Sequence, residues 1–446
     1  MAIALLFVFQ SCDKSSENDN EETVIGNVPN FNSYVAIGNS ITQGYADGAA
    51  YREGQQVAYP TLLKQQLSQQ FDVDYNQALL PIGNGIGIDG LNVVGKMELI
   101  KTTSDCDGEE ILVRTFTTSP YSILDVLGGV RTTDNGPFHN IGVAGATVGD
   151  ALEANLGLNS PLSGGNPFYH FYASNPGQST MISDAVLAKP NFFTYWLGNN
   201  DVLTYALGGG ENASLTNTSS FEASVSFAID QLTTETPFGA ILNIASVTDI
   251  PYFNYIPYNG LVLTADEADN LNTIFAADAA ISFSEGQNAY VIEDVNAPNG
   301  MYRQIKSNEL ILIDADKEKL KCEGYGSVTT GTTTIDPIQS SHVLDESEIA
   351  DIKSRTEAFN NILEGIATNN DLILIDVNDY FQQFTSTQNI NGVDLSNEFI
   401  FGGLFSLDAI HPTPRGHAMI TNQIIKAINA KYNMQMGSLD ISNYGT

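Results

Sequence analysis

The sequence has 446 residues, of which 42% are hydrophobic, so it can bury a large core in one domain or two. It carries 52 acidic and 18 basic side chains, a formal net charge of −34. A field of this sign repels phosphate backbones and argues against nucleic-acid binding, and no apolar run reaches the length of about 18 residues needed for a membrane span.

The N-terminus contains a short apolar run, residues 2–9, followed by Ser11 and Cys12. The run resembles the hydrophobic part of a signal peptide, and the sequence around Cys12 resembles a bacterial lipobox, although no Lys or Arg precedes it. We expect a signal peptide over residues 1–11, lipidation of Cys12 and a disordered acidic tether over 12–30. This predicts a lipid-anchored protein at the outer membrane or cell surface of a Gram-negative bacterium. The alternative is a disordered apolar tail with an isolated cysteine.

Beyond the tether, short apolar strands alternate with helical patterns. The predicted strands cover residues 34–38, 140–145, 191–198, 240–246 and 372–377. The predicted helices cover residues 59–71, 178–189, 219–234, 346–368 and 414–432. In the last helix Thr413 suits the N-cap and Pro414 the first turn. Strands separated by helices predict an α/β fold with a mostly parallel sheet covered on both faces.

Two long stretches interrupt this alternation, at about residues 72–135 and 250–340. They are rich in Gly, Thr, Asn and Asp and contain short alternating runs, of which `ELILIDA` at 309–315 is one. We interpret them as insertions with small hairpins of their own, within one domain over residues 31–432. A C-terminal tail over residues 433–446 completes the predicted organisation.

Small polar residues follow three of the predicted strands. These residues are Asn39 and Ser40 after the first strand, Gly145 after the second, and Asn199, Asn200 and Asp201 after the third. Functional sites in such folds form at the carboxyl ends of the strands. A serine nucleophile needs a base, and the base needs an orienting carboxylate. The segment `DAIH`, from Asp408 to His411, supplies both just before the C-terminal helix.

These segments together resemble the SGNH hydrolases, the GDSL esterase/lipase family, whose blocks occur here in the family's order. The blocks are `GNS` ending at Ser40, `NIGVAGAT` containing Gly145, `GNND` containing Asn200, and `DAIH`. Asn39 stands where the family usually has Asp, a position that shapes the turn without transferring the proton.

The resemblance implies a three-layer α/β/α, flavodoxin-like fold and hydrolysis of acyl esters. It makes Ser40 the nucleophile, His411 the base and Asp408 its partner, with an oxyanion hole from Ser40, Gly145 and Asn200. It implies no cofactor and no metal. The expected substrate is a small-molecule, glycan or lipid ester, with acetylated glycans and lipid esters both open. A surface-anchored binding lipoprotein and an acyltransferase are the alternative functions.

Two further cysteines, Cys106 and Cys322, lie one in each insertion. In an exported protein they favour a disulfide, and two separate buried thiols are the alternative. If they pair, both insertions meet over one side of the sheet. Aromatic residues near the blocks are interpreted as core rather than as a substrate wall; they are Tyr45, Tyr51, Tyr59, Tyr195 and Trp196.

Overall fold

The computed structural model describes residues 28–104, 106, 108–211 and 213–445. The predicted signal peptide, the lipidation site Cys12 and most of the predicted tether lie outside the described residues. Among the helices of the described part, none is both long enough and apolar enough to cross a bilayer.

The described residues contain a central sheet of five parallel strands. The strands are β1 (Tyr34–Gly38), β2 (Asn140–Gly142), β3 (Phe192–Trp196), β4 (Gly239–Leu242) and β5 (Ile373–Ile375). Their spatial order is β2-β1-β3-β4-β5, and every neighbouring pair is parallel. This is the flavodoxin-like order, in which the chain winds in both directions from β1. The predicted fold class is therefore confirmed.

Five helices of the described chain cover the two faces of the sheet. They are α1 (Tyr59–Leu67), α2 (Met181–Leu187), α3 (Thr218–Glu235), α4 (Glu346–Asn369) and α5 (Pro414–Tyr432). Side chains of β1 alternate between the faces, as a strand requires. Val35 and Ile37 pack in the cluster that contains α2, α3 and α4, whereas Tyr34 and Ala36 pack with α1 and α5. The result is the predicted three-layer arrangement.

Several predicted boundaries agree with the structure and others run too far. The strand over 34–38 and the helix over 414–432 have the predicted bounds, and Thr413 caps α5 by accepting a hydrogen bond from Gly416 N at 3.1 Å. The strands predicted over 140–145 and 240–246 end at Gly142 and Leu242. Most of the residues that follow are apolar or small, but their backbone turns into the loops at the sheet edge.

Shorter elements fill the connections. The remaining helices are Ser40–Gln43, Arg52–Val57, Ile123–Gly128, Pro167–His170, Asn200–Leu207, Pro251–Asn254, Ala265–Ile274 and Val377–Gln382. Antiparallel strand pairs are Tyr45–Ala46 with Ala49–Ala50, Gly87–Asp89 with Asn92–Val94, Met97–Thr103 with Glu110–Phe116, Leu261–Leu263 with Gly286–Asn288, Val291–Glu293 with Tyr302–Gln304, Leu310–Ile311 with Val343–Leu344, Ser327–Val328 with Ile335–Asp336, and Gln388–Ile390 with Val393–Leu395.

Both long stretches contain hairpins, as the sequence predicts. The second stretch also contains the helix Ala265–Ile274, which periodicity did not predict. A capping box marks its start, since the Thr264 hydroxyl accepts from Glu267 N and the Glu267 carboxylate accepts from Thr264 N. The `TADE` segment carried this signal in the sequence. The stretch also has small apolar clusters of its own.

A disulfide joins Cys106 and Cys322, with 5.3 Å between their Cα atoms. It connects the first long stretch to the second. Beside it, the Ser104 hydroxyl donates a hydrogen bond of 3.1 Å to the Glu318 carboxylate, so the same two segments also meet through side chains. The two stretches therefore meet in space although 216 residues separate the cysteines.

The segment after α5 packs back on the domain. Met436, Leu439 and Ile441 are buried, and amide side chains of α5 bind its backbone. Asn422 Oδ1 accepts from Leu439 N at 2.7 Å, and Asn429 Oδ1 accepts from Met436 N at 2.9 Å. The predicted C-terminal tail thus covers α5.

Candidate active site

A sharp turn places Ser40 at the carboxyl end of β1. The short helix Ser40–Gln43 starts there, and the Asn39 side chain caps it by accepting from Ile41 N at 3.0 Å. Gly44 ends the helix with a φ of +83°. At Gly38 an added Cβ would lie 2.0 Å from Thr42 Oγ1, so this tight turn requires glycine. Asn39 therefore supplies the capping oxygen at a position where the family usually has Asp.

The structure brings Ser40, His411 and Asp408 into one hydrogen-bonded chain. The Ser40 Oγ and His411 Nε2 atoms are 2.8 Å apart, and His411 Nδ1 lies 2.8 Å from Asp408 Oδ2. Because a carboxylate only accepts, Nδ1 carries the hydrogen and Nε2 of the neutral ring accepts from the serine hydroxyl. Ser40 is 7% exposed and Asp408 is also 7% exposed, so the chain is shielded from bulk water.

The Asp408 carboxylate is held by donors on both oxygens. Oδ1 accepts from Ile410 N at 2.9 Å and from His411 N at 2.8 Å, and Oδ2 accepts from Gly48 N at 2.9 Å. Burial acts to raise the pKa of Asp408, but the adjacent His411 and these N–H groups reverse the effect and leave it well below its usual range. The carboxylate is therefore charged across the pH range in which a histidine titrates.

Two supporting residues, Asp47 and Ser406, were missed by the sequence reasoning. The Ser406 hydroxyl donates to Asp408 Oδ1 at 3.0 Å and accepts from Asp47 N at 3.0 Å. Asp47 Oδ1 in turn accepts from Leu407 N at 3.0 Å. The hairpin that follows the helix Ser40–Gln43 thus binds the loop that carries Asp408. No sequence motif marks this pairing, because about 360 residues separate the partners.

Both long stretches also contact the `DAIH` loop. Arg114, from the hairpin of the first stretch, donates a hydrogen bond of 3.0 Å to the carbonyl of Leu407 and lies over the Phe399 ring. Tyr252, at the start of the second stretch, donates its backbone N–H to the carbonyl of Ala409 at 3.1 Å. Ala409 has a φ of +65°, an uncommon conformation for a residue with a side chain. These contacts hold the loop in that conformation.

Gly145 and Asn200 follow β2 and β3 at the same edge of the sheet as Ser40. The three strand ends are level, since Gly38 is in register with Gly142 on one side and with Trp196 on the other. Gly145 has a φ of +80°, and the space that a Cβ would occupy is open. Asn200 Nδ2 donates to the carbonyl of Ala146 at 2.9 Å, which fixes the amide beside the Gly145 loop.

The Asp201 side chain also stabilises the loop that follows β2. Its Oδ2 accepts from Val148 N at 3.0 Å. Burial raises its pKa to about 6, because few donors offset the loss of water. Across the gap to the nucleophile turn, Gln43 Oε1 accepts from Ala144 N at 3.1 Å. The loops after β1, β2 and β3 are thus bound to one another.

A model of the GDSL-like lipase/acylhydrolase family matches residues 34–424. The chain belongs to this family. The match starts at β1 and ends within α5, so it includes the four blocks and both long stretches. The protein is accordingly an ester hydrolase, and no curated protein matches its sequence significantly.

Solved structures similar to this GDSL-like chain are distant. An alpha/beta hydrolase, LAE5, from the metagenome of Lake Arreo is 12% identical with a TM-score of 0.37, covering 90% of this chain and 96% of that one. Acetylxylan esterase Axe2 from Geobacillus stearothermophilus is 10% identical with a TM-score of 0.35, covering 91% and 95%. A lipase/acylhydrolase from Enterococcus faecalis is 10% identical with a TM-score of 0.34, covering 91% and 99%. Similarities at these TM-scores support no argument about substrate.

Other histidines of this GDSL-like enzyme have packing roles. His417 is buried on α5, its Nδ1 accepts from Tyr59 N at 3.3 Å, and burial together with nearby His411 lowers its pKa to about 3. His170 Nδ1 bonds the carbonyl of Gly157 at 2.8 Å. Within the described residues, no group of three or more His, Cys, Asp or Glu side chains is arranged to hold a metal ion.

The aromatic residues near the blocks separate into two groups. Tyr51, Tyr59, Tyr195 and Trp196 are buried, as expected of core residues, although Trp196 also lines a cavity. Tyr45 is half-buried, and its ring centroid lies 4.9 Å from that of His411. This ring therefore packs directly on the predicted base, a contact that the sequence interpretation did not assign.

Proposed function

We propose that this ester hydrolase cleaves acyl esters with Ser40 as nucleophile, His411 as general base and Asp408 as the group that orients and stabilises the imidazole. The observation that carries the proposal is the continuous chain from Asp408 Oδ2 through His411 to Ser40 Oγ, with both contacts at 2.8 Å. Such contacts let the hydroxyl proton move to Nε2 as Oγ attacks.

In the first half-reaction, Ser40 Oγ bonds the ester carbonyl carbon while its proton passes to His411 Nε2. The negative charge that forms on the carbonyl oxygen requires preorganised donors. We assign these donors to the backbone N–H groups of Ser40 and Gly145 and to the side-chain amide of Asn200. Their position at level strand ends supports this assignment. Collapse of the intermediate breaks the ester C–O bond, and His411 returns the proton to the leaving alcohol.

In the second half-reaction, water replaces the alcohol. His411 accepts a proton from the attacking water, the same donors hold the new oxyanion, and Ser40 leaves with the proton from Nε2. A carboxylic acid and the free enzyme result. Asp408 remains a carboxylate throughout, because its pKa lies far below that of an imidazole.

The test is hydrolysis of p-nitrophenyl esters by the enzyme and by Ser40→Ala. We expect Ser40→Ala to lower kcat by about 10⁴-fold or more. Ser307→Ala, which removes an exposed hydroxyl in a turn of the second long stretch, is the matched control and should leave kcat unchanged. A Ser40→Ala protein with the full rate would overturn the mechanism. Failure of a fluorophosphonate to label Ser40, with no ester turnover, would favour a binding protein.

The biological substrate is proposed only as a class, an acetylated glycan or a lipid ester. The strong negative charge favours neutral esters over anionic ones. Product analysis with a sugar acceptor present separates hydrolysis from acyl transfer, since transfer forms a new sugar ester in place of the free acid.

We also propose that the enzyme is lipid-anchored through Cys12 at the outer membrane or cell surface. The sequence around Cys12 is the support for this proposal. Incorporation of labelled palmitate into the wild-type protein, and its loss in Cys12→Ser, would test the anchor. Equal label in both proteins would contradict it.

A further inference from the structure

A cavity with mostly apolar walls lies beside the proposed catalytic residues, with a volume of about 90 Å³. Its lining includes Ile41, Asn199, Ile410 and Pro412. Ile41 follows Ser40, Asn199 precedes Asn200, and the other two residues flank His411. The cavity is therefore lined by direct chain neighbours of Ser40, Asn200 and His411.

The other walls of the cavity come from separate parts of the fold. Leu203 belongs to the helix after the `GNND` block, Ala245 and Val247 follow β4, and Phe381 lies on the helix after β5. Ile250 marks the start of the second long stretch. Because these walls come from the ends of the sheet and from the insertion, the pocket is a property of this chain rather than of the four blocks alone.

Two amide side chains of the lining are engaged within the protein, whereas Asn199 Oδ1 is buried without a hydrogen-bond partner among the described residues, and Asp249 also contributes to the lining. Asn378 Nδ2 donates to the carbonyl of Ile244 at 2.9 Å, and Asn397 Nδ2 donates to the carbonyl of Asp249 at 2.7 Å. The rest of the lining is mostly apolar, so a hydrocarbon chain that enters the cavity exchanges contact with water for apolar contacts. The volume corresponds to about six water-sized spheres, which exceeds the need of an acetyl methyl group.

We propose that this cavity binds the acyl chain of the substrate and that the enzyme prefers saturated acyl groups of about four to eight carbons over acetyl. The inference rests on the proposed function and, of the two substrate classes proposed there, favours a lipid ester over an acetylated glycan. We choose the acyl side because Ile41 is the chain neighbour of Ser40, to which the acyl group stays bonded after the alcohol has left, and the alkyl acetate series below tests this choice. Each buried methylene should raise kcat/KM about fourfold until the cavity is full.

The test compares kcat/KM for p-nitrophenyl acetate, butyrate, hexanoate and octanoate below their micelle concentrations, with Ser40→Ala as the background. The wild type should favour butyrate or hexanoate over acetate by at least tenfold. Ala245→Phe, which fills the cavity, should lower the hexanoate-to-acetate ratio by at least tenfold. Leu203→Ala, which enlarges it, should move the optimum to a longer chain.

Controls keep the test decisive. Val262→Phe adds the same ring at a site that is 68% exposed on the second long stretch, and it should leave the ratio unchanged. If Ala245→Phe does not fold, as judged by its melting transition, Ile250→Phe, at a half-buried position of the cavity lining, replaces it. A series of alkyl acetates tests whether the alcohol occupies the pocket instead.

The outcomes separate the two proposals. Ser40-dependent turnover with no preference for longer acyl chains, or with a preference confined to the alkyl acetate series, overturns the acyl pocket and leaves the esterase mechanism intact. An unchanged ratio in the cavity-filling variant does the same. The absence of Ser40-dependent turnover on every ester overturns both.

Discussion

Replacement of Asp408 by asparagine tests the proposed role of this carboxylate in orienting His411. Oδ1 of Asp408 accepts from Ser406 Oγ, Ile410 N and His411 N, whereas Oδ2 accepts from Gly48 N and faces His411 Nδ1. In Asp408→Asn the amide oxygen should take the Oδ1 position, where more donors converge. The NH₂ group then faces Gly48 N and His411 Nδ1.

That orientation inverts the hydrogen bond to the imidazole. His411 Nδ1 must become the acceptor, so its hydrogen moves to Nε2, which then points at Ser40 Oγ and cannot take its proton. By analogy with serine hydrolases in which the same change was made, kcat should fall about 10³- to 10⁴-fold, or about 4–5.5 kcal/mol in the activation barrier. The NH₂ group also opposes the Gly48 N–H, which should lower the free energy of unfolding by about 1–3 kcal/mol.

The assay is steady-state hydrolysis of p-nitrophenyl butyrate at neutral pH, together with thermal melts. Asp230→Asn, a charge-matched change at an exposed position of α3, is the control and should alter neither quantity. If folded Asp408→Asn kept more than a tenth of the wild-type kcat, then Asp408 would not set the tautomer of His411, and the mechanism would need another orienting group.

Three further changes probe other contacts. In Asp201→Asn, removal of a buried carboxylate whose pKa is raised to about 6 should increase stability above pH 6, by about 2–3 kcal/mol at most. Because a raised folded-state pKa favours the native state only at low pH, the gain should vanish towards pH 4; equal gains at pH 4 and pH 8 would contradict this account. Cys106→Ser with Cys322→Ser should lower stability by about 2–5 kcal/mol and accelerate proteolysis of both long stretches, and an unchanged melting temperature would count against a stabilising disulfide. Arg114→Ala should lower kcat about tenfold, with little change in KM, because the loop that carries Asp408 would be misplaced. Lys101→Ala is the control on the same hairpin; its side chain is 71% exposed, and the change should not lower kcat. Equal activities of the two variants would show that Arg114 does not position the loop.

The sheet and the four blocks could be predicted from the sequence because their signals are local. The run at 34–38 is apolar and stops at glycine, and helix α5 carries its cap and proline in order. The contacts of Arg114 and Tyr252 with the `DAIH` loop could not be predicted. Each contact is a hydrogen bond to a backbone carbonyl from a residue 293 or 157 positions away in the chain. Every residue has a backbone carbonyl, so the amino-acid type at that position gives no sign of the contact.

The same limit applies to the cavity. Its walls include Ile41, Leu203 and Phe381, which follow three different strands, and each alone reads as an ordinary core residue. Only the tertiary arrangement leaves a space between them. Ser406 is similar, since a serine in a loop is common and its link to Asp408 depends on the backbone of the turn.

Contact of both long stretches with the acid loop has a consequence for recombining members of this family. Deleting either stretch to obtain a minimal catalyst would also remove one of the hydrogen bonds that hold the `DAIH` loop, donated either by the Arg114 guanidinium or by the Tyr252 backbone N–H. A chimera that carries the insertions of another family member would have to supply hydrogen-bond donors to the same two backbone carbonyls, those of Leu407 and Ala409. Exchanging either long stretch between family members should therefore change turnover as well as specificity.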